Sequence, residues 1–194
     1  MAYVYGSIPF SYILPKIFKK VDVTKHGDSN IGAMNAFYAS KSFFIGLVCF
    51  LLDFSKGLLP TYFFGPVAGA FGIVGHQFSI IMMVHFKFKR IVSGLGMAAT
   101  FGFLSLVEPI LIPISLVVFT VFVILLAPMK IGKWLEVEQG NIETVFALAL
   151  TVMVYLILFE VSYEVKLAIL IISIGAFIAY SRRISSQLKK MLRV

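Results

Sequence analysis

Long apolar runs, separated by short stretches that are either basic or rich in glycine and proline, constrain this chain more than any other feature in it. Inside a bilayer no water is available to satisfy a bare N–H or C=O. A spanning segment joined by such short links must therefore be helical, and about 20 residues cross the hydrocarbon core. In order, the runs are 2–14, 43–64, 67–84, 91–107, 110–127, 144–159 and 167–180. With 60% hydrophobic and 13% charged residues in a length of 194, nothing is left for a soluble domain. The expectation is a single all-α domain over 1–194, a polytopic membrane helix bundle of about seven transmembrane helices.

Charge orients it. Lys16, Lys19, Lys20, Lys25 and Lys41 lie between the first two runs, and Lys87, Lys89 and Arg90 between the third and fourth. Lys130 and Lys133 lie in the connector 129–141, and five more basic residues, Arg182 among them, lie in the tail. Only Lys56 and Lys166 of the 17 Lys and Arg fall elsewhere. By the positive-inside rule the N-terminus is outside and the C-terminus cytoplasmic, as expected of a multi-pass protein of the cell (inner) membrane. In that setting the net charge of +8 points to anionic headgroups or substrates and to no nucleic acid.

One polar loop stands out, Gly27–Asn35, reading GDSNIGAMN. Gly27 and Gly32 allow positive φ, while Asp28, Ser29, Asn30 and Asn35 can fold onto nearby amides. The plain reading is a connector with an N-cap at its end. The sharper one is a cradle of backbone N–H groups for an anionic oxygen. Inside the second run, Asp53 and Lys56 are three residues apart, so on a helix they share a face and can pair. Charges at that depth either satisfy each other structurally or serve a site. His76, near the end of the third run, and the cluster Lys87, Lys89 and Arg90 fall on the same predicted side as the loop. A packing histidine and an ordinary topology signal are the alternatives for these.

Other chemistries leave no trace. There is no HExxH, no paired His/Asp set at metal spacing, and no Walker or dinucleotide fingerprint; His26, His76 and His85 are scattered. The lone cysteine, Cys49, excludes an internal disulfide. No metal and no cofactor are expected, and the oligomeric state is not specified.

Taken together, GSIPF at 6–10, GDSNIGAMN at 27–35, LDFSKG at 52–57 and GHQF at 75–78 resemble the acyl-phosphate-dependent glycerol-3-phosphate acyltransferases of bacterial membranes, the PlsY family. The resemblance covers nearly the whole chain. It implies transfer of a fatty acyl group from acyl phosphate to glycerol 3-phosphate, giving lysophosphatidate and phosphate in phospholipid synthesis. It also implies catalytic roles for Asp28, Ser29, Asn30, Asn35 and His76, and phosphate binding by Gly27, Lys87, Lys89, Arg90 and Arg182. Asp53 and Lys56 would brace the site. The alternative is a catalytically silent or altered-acceptor relative that binds lipid or anions as an accessory protein. Departures are plain: the family's loop usually reads GSGNxGATN, and its FKGGKG is replaced by residues 86–91, losing both glycines and their close backbone approach. The first helix also begins late for the family, as expected of a misassigned start codon or a truncated member.

Overall fold

The computed structural model describes residues 1–27, 29–114, 117 and 160–191, with side chains as far as 181. Asp28, the side chain of Arg182, most of the expected fifth run, the connector 129–141 and the sixth run lie outside the described residues. Within them every regular element is helical: α1 (Ala2–Gly6), α2 (Phe10–Lys19), a 3-10 turn (Val23–Lys25), α3 (Ala33–Ser40), α4 (Phe43–Phe64), α5 (Pro66–Gln77), α6 (Ile80–His85), α7 (Met97–Val107) and α8 (Tyr163–Met191). Among the described residues, three segments are long and apolar enough to cross a membrane: Phe43–Phe64, Pro66–His85 and Tyr163–Ser181.

The second run folds as expected. Ser42 starts α4 by accepting a hydrogen bond from the Ile45 amide, and Gly65, at φ 86°, ends it. The helix ends where the run 43–64 does, and Pro60 lies inside its last turns. Pro60 has no N–H for the carbonyl of Lys56, one turn back, and Gly72 of α5 packs directly on that oxygen, where a Cβ would overlap it. A second close crossing joins α4 to α7, since a Cβ on Gly57 would overlap the Ala99 carbonyl and one on Gly102 the Phe54 carbonyl.

The third run is broken in two. Phe78 leaves helical geometry, and Ser79 caps α6 through the Met82 amide. The carbonyls released at the break are taken up elsewhere, Phe78 O by the Tyr3 hydroxyl at 2.6 Å and Gln77 O by the Ser93 amide at 2.8 Å. The first run is also broken, at residues 7–9.

One expectation needs correction. The fourth run is not helical from 91: the chain is irregular up to Gly96, which adopts φ 83°, and α7 begins only at Met97. The reason is contact, because residues 93–96 pack their backbone against α5 and the Gly27 loop. The basic tail, in turn, continues α8 to Met191 as one helix with the seventh run.

Two cores result. Ile73, Phe103, Leu104 and Ile169 fill the space between α5, α7 and α8. Tyr12, Val23, Ile31, Cys49 and Met82 fill that between α2, α3, α4 and α6, and the polar residues of interest border this second core.

Candidate active site

The charged pair in α4 is a buried three-residue cluster. Lys56 Nζ lies 2.8 Å from Asp53 Oδ1, as the i,i+3 spacing requires, and both side chains are 1% exposed. His76, at the last turn of α5, adds its Nδ1 at 3.0 Å from Lys56 Nζ and 3.4 Å from Asp53 Oδ1. Ser11 of α2 donates to Asp53 Oδ2 at 2.6 Å. The lysine also lies 5.2 Å from the centre of the Phe10 ring. An ammonium can only donate, so toward Lys56 His76 Nδ1 stands as the acceptor. Carboxylate and ammonium set side by side, with the Ser11 hydroxyl on the second carboxylate oxygen, is how ions at such depth are tolerated.

The polar loop is built on its own side chains. Asp22 accepts from the Thr24 amide at 3.0 Å and hydroxyl at 2.6 Å, which sets the 3-10 turn. Burial works against its carboxylate, but the two Thr24 bonds, with Lys16 and Lys25 nearby, hold its pKa below the ordinary value. Gly27 is required twice over: its φ is 53°, and a Cβ would fall 2.5 Å from Asn35 Oδ1. Ser29 adopts φ 61° without being glycine. Asn35 is buried, and its amide donates to Val23 O at 2.9 Å and Asn30 O at 2.8 Å, clamping both limbs of the loop. Gly32, extended, precedes α3 and itself supplies no side-chain cap.

Residues 90–95 sew the loop to the cluster. Arg90 donates through Nη2 to Ser29 O and through Nε to Val92 O at 3.1 Å. The Ile31 amide donates to Ser93 O at 3.0 Å, and Gln77 Nε2 to Leu95 O at 3.2 Å. Gly94 lies flat on the imidazole: a Cβ there would overlap His76 Nε2 and come 2.7 Å from Ile31 O. A continuous path therefore runs from the loop through Ile31 and Gly94 to His76, Lys56, Asp53 and Ser11. Close backbone approach, expected to be lost with the glycines of residues 86–91, is found instead at Gly94.

Of the residues singled out from sequence, Gly27, Ser29, Asn30, Asn35, Arg90, His76, Lys56 and Asp53 lie along this path. Lys87 and Lys89 are exposed on the turn that follows α6. Arg182 is placed only by its backbone, in α8. Sequence reasoning missed Ser11, Gln77 and Gly94 as members of this path; the last lies in the run 91–107, expected to be helical.

Residues 1–193 match the family described as glycerol-3-phosphate acyltransferase. A protein of that name from Carboxydothermus hydrogenoformans is 32% identical over 171 residues, 84% of this chain and 78% of the relative. Another from Finegoldia magna is 34% identical over 143 residues, 69% of this chain and 67% of the relative. A third, from Thermotoga petrophila, is 38% identical over 111 residues; the chain spans about half the length of that relative, 53%. Among solved structures, PlsY (YgiH), an integral membrane glycerol 3-phosphate acyltransferase in its glycerol 3-phosphate form, superposes with a TM-score of 0.66. That likeness is 22% in sequence and covers 97% of this chain and 89% of the other, so it establishes a shared fold.

Proposed function

Because the chain belongs to the glycerol-3-phosphate acyltransferase family, we propose that it transfers a fatty acyl group from acyl phosphate to a hydroxyl of glycerol 3-phosphate. The hydroxyl oxygen attacks the acyl carbon, the bond from that carbon to the phosphate oxygen breaks, the hydroxyl proton passes to the departing phosphate, and lysophosphatidate and inorganic phosphate leave. We place the reaction on the cytoplasmic face of a multi-pass bundle of about seven spans, orientated by the one-sided basic residues.

The observation that carries this reading is the union of loop and cluster. A mixed anhydride has a good leaving group, so the protein needs mainly to position two phosphates and neutralise charge. The first-turn amides of α3 suit a phosphate; Arg90, whose guanidinium reaches the loop, supplies positive charge. Asp28 belongs to this loop by sequence, and Arg182 provides a further cation at the approach. Asn35 positions the loop through both of its amide bonds. His76 transmits the rigidity of the Asp53–Lys56 pair to Gly94. No step requires a metal.

The test is turnover of purified protein in lipid, supplied with acyl phosphate and labelled glycerol 3-phosphate. Labelled lysophosphatidate should form and should be lost in Asn30→Ala. Arg90→Ala should raise KM for glycerol 3-phosphate at least about tenfold, about 1.4 kcal/mol, and more than Lys89→Ala does. A folded protein with no turnover on any acceptor would instead establish the silent, anion-binding relative.

A further inference from the structure

The turn after α6 carries a feature the acyl-transfer reading does not use. Lys87 and Phe88 adopt φ of 50° and 59°, the left-handed region, in succession. For a bulky aromatic this is an outlier that costs roughly 1–2 kcal/mol. Burial does not compensate for it, because the Phe88 side chain is 62% exposed. The strained backbone does have a fixed shape: Lys87 N donates to Val84 O at 2.9 Å, Phe88 N to Met83 O at 2.7 Å and Lys89 N to Phe86 O at 3.0 Å. It holds an aromatic outward between two exposed lysines, directly at the end of the apolar segment Pro66–His85.

The neighbouring surface repeats the pattern. Tyr12 of α2 contacts His85 and Phe86 across the helix ends and accepts a hydrogen bond from Lys16 at 2.6 Å. Just beyond it Ile17 and Phe18 are exposed, followed by Lys19 and Lys20. Outward aromatic and aliphatic side chains interleaved with lysines at the end of a spanning segment match a leaflet surface in two respects: apolar depth for the rings and phosphate anions for the ammonium groups. A soluble anion would satisfy only the lysines.

We propose that the Lys87–Phe88–Lys89 turn is a docking surface for anionic phospholipid, with Phe88 seated among acyl chains and Lys87 and Lys89 paired with headgroup phosphates. The proposal rests on Pro66–His85 being a span and is independent of whether the protein transfers acyl groups.

The experiment replaces Trp134 by Phe and Phe88 by Trp in the full chain, reconstitutes it in vesicles, and compares emission quenching by phosphatidylglycerol and phosphatidylcholine brominated on the upper acyl chain. The tryptophan should be quenched by both, and at least twofold more by equal amounts of the anionic lipid. Lys87→Gln with Lys89→Gln should remove that preference. Millimolar glycerol 3-phosphate should leave it unchanged. Absence of quenching, equal quenching by the two lipids, or loss of the preference on adding glycerol 3-phosphate would each overturn the proposal, the last by assigning the lysines to a soluble phosphate. Should the tryptophan variant not fold, lipid retention by otherwise unaltered protein in native mass spectrometry serves as readout. Phosphatidylglycerol retained over phosphatidylcholine, and lost in the double glutamine variant, is the supporting result; equal retention is the contrary one. Acyl transfer enters neither readout, so a failure of the enzymatic reading cannot be mistaken for a failure of this one.

Discussion

At the scale of single residues, Lys56 is the most consequential side chain. Its ammonium satisfies Asp53 and His76 at once in a site with 1% exposure. Lys56→Met should therefore leave a buried carboxylate unpaired and cost about 3–5 kcal/mol, whereas combining it with Asp53→Asn should recover part of that loss. Unfolding in detergent measures both, and a single-variant loss below about 1 kcal/mol would contradict the account. The i,i+3 spacing made this pair legible from sequence. The third member was not, since nothing local joins His76 to a helix twenty residues earlier. Gly94 was misread for a related reason: hydropathy reports burial and says nothing of conformation. Gly94→Ala should keep the fold and lower turnover at least about tenfold, because the new methyl pushes on both His76 and Ile31. Asp22 belongs to the same scale. Its pKa is lower folded than unfolded, so its contribution is complete above the unfolded value and is lost as pH falls through the folded one. Protease sensitivity of the Gly27 loop should be flat from neutral pH down to about 4 and rise below it, and Asp22→Asn should show the raised sensitivity at every pH.

Elements behave as their ends dictate. The apolar run 43–64 made α4 readable to the residue, and Pro60 is accommodated inside it because the carbonyl it deprives is covered by another helix. The third run looked continuous, since only Ser79 marks the restart. In the turn after α6, Phe88→Gly should relieve left-handed strain and raise stability in detergent by about 0.5–1 kcal/mol, while weakening contact with anionic lipid. The two effects have opposite signs, and differential scanning in detergent and in vesicles separates them. A Phe88→Gly variant no more stable than the parent would remove the strain argument.

At the scale of the molecule, the sequence pattern is firmest on what a bilayer enforces: helical elements and apolar runs. It is weakest on which segments are re-entrant or irregular, because apolar loops packed on protein look like spans. The orientation can be tested directly. Cysteine introduced at Lys87 should react with impermeant maleimide only from the cytoplasmic side, and at Tyr62, exposed near the other end of α4, only from outside. Cys49 is buried and gives little background.

The interruption between α5 and α6 also bears on the order in which the chain is put together. Its two released carbonyls are capped by Tyr3, which has been synthesised long before, and by Ser93, which follows the break by more than a dozen residues. While Ser93 is still within the ribosome, the span Pro66–His85 enters the bilayer with one backbone acceptor unanswered. It can settle only once the segment leading to α7 has emerged. Insertion of this span is thereby tied to later translation, and a nascent chain halted before Ser93 should hold it in a form that still exchanges with the translocon.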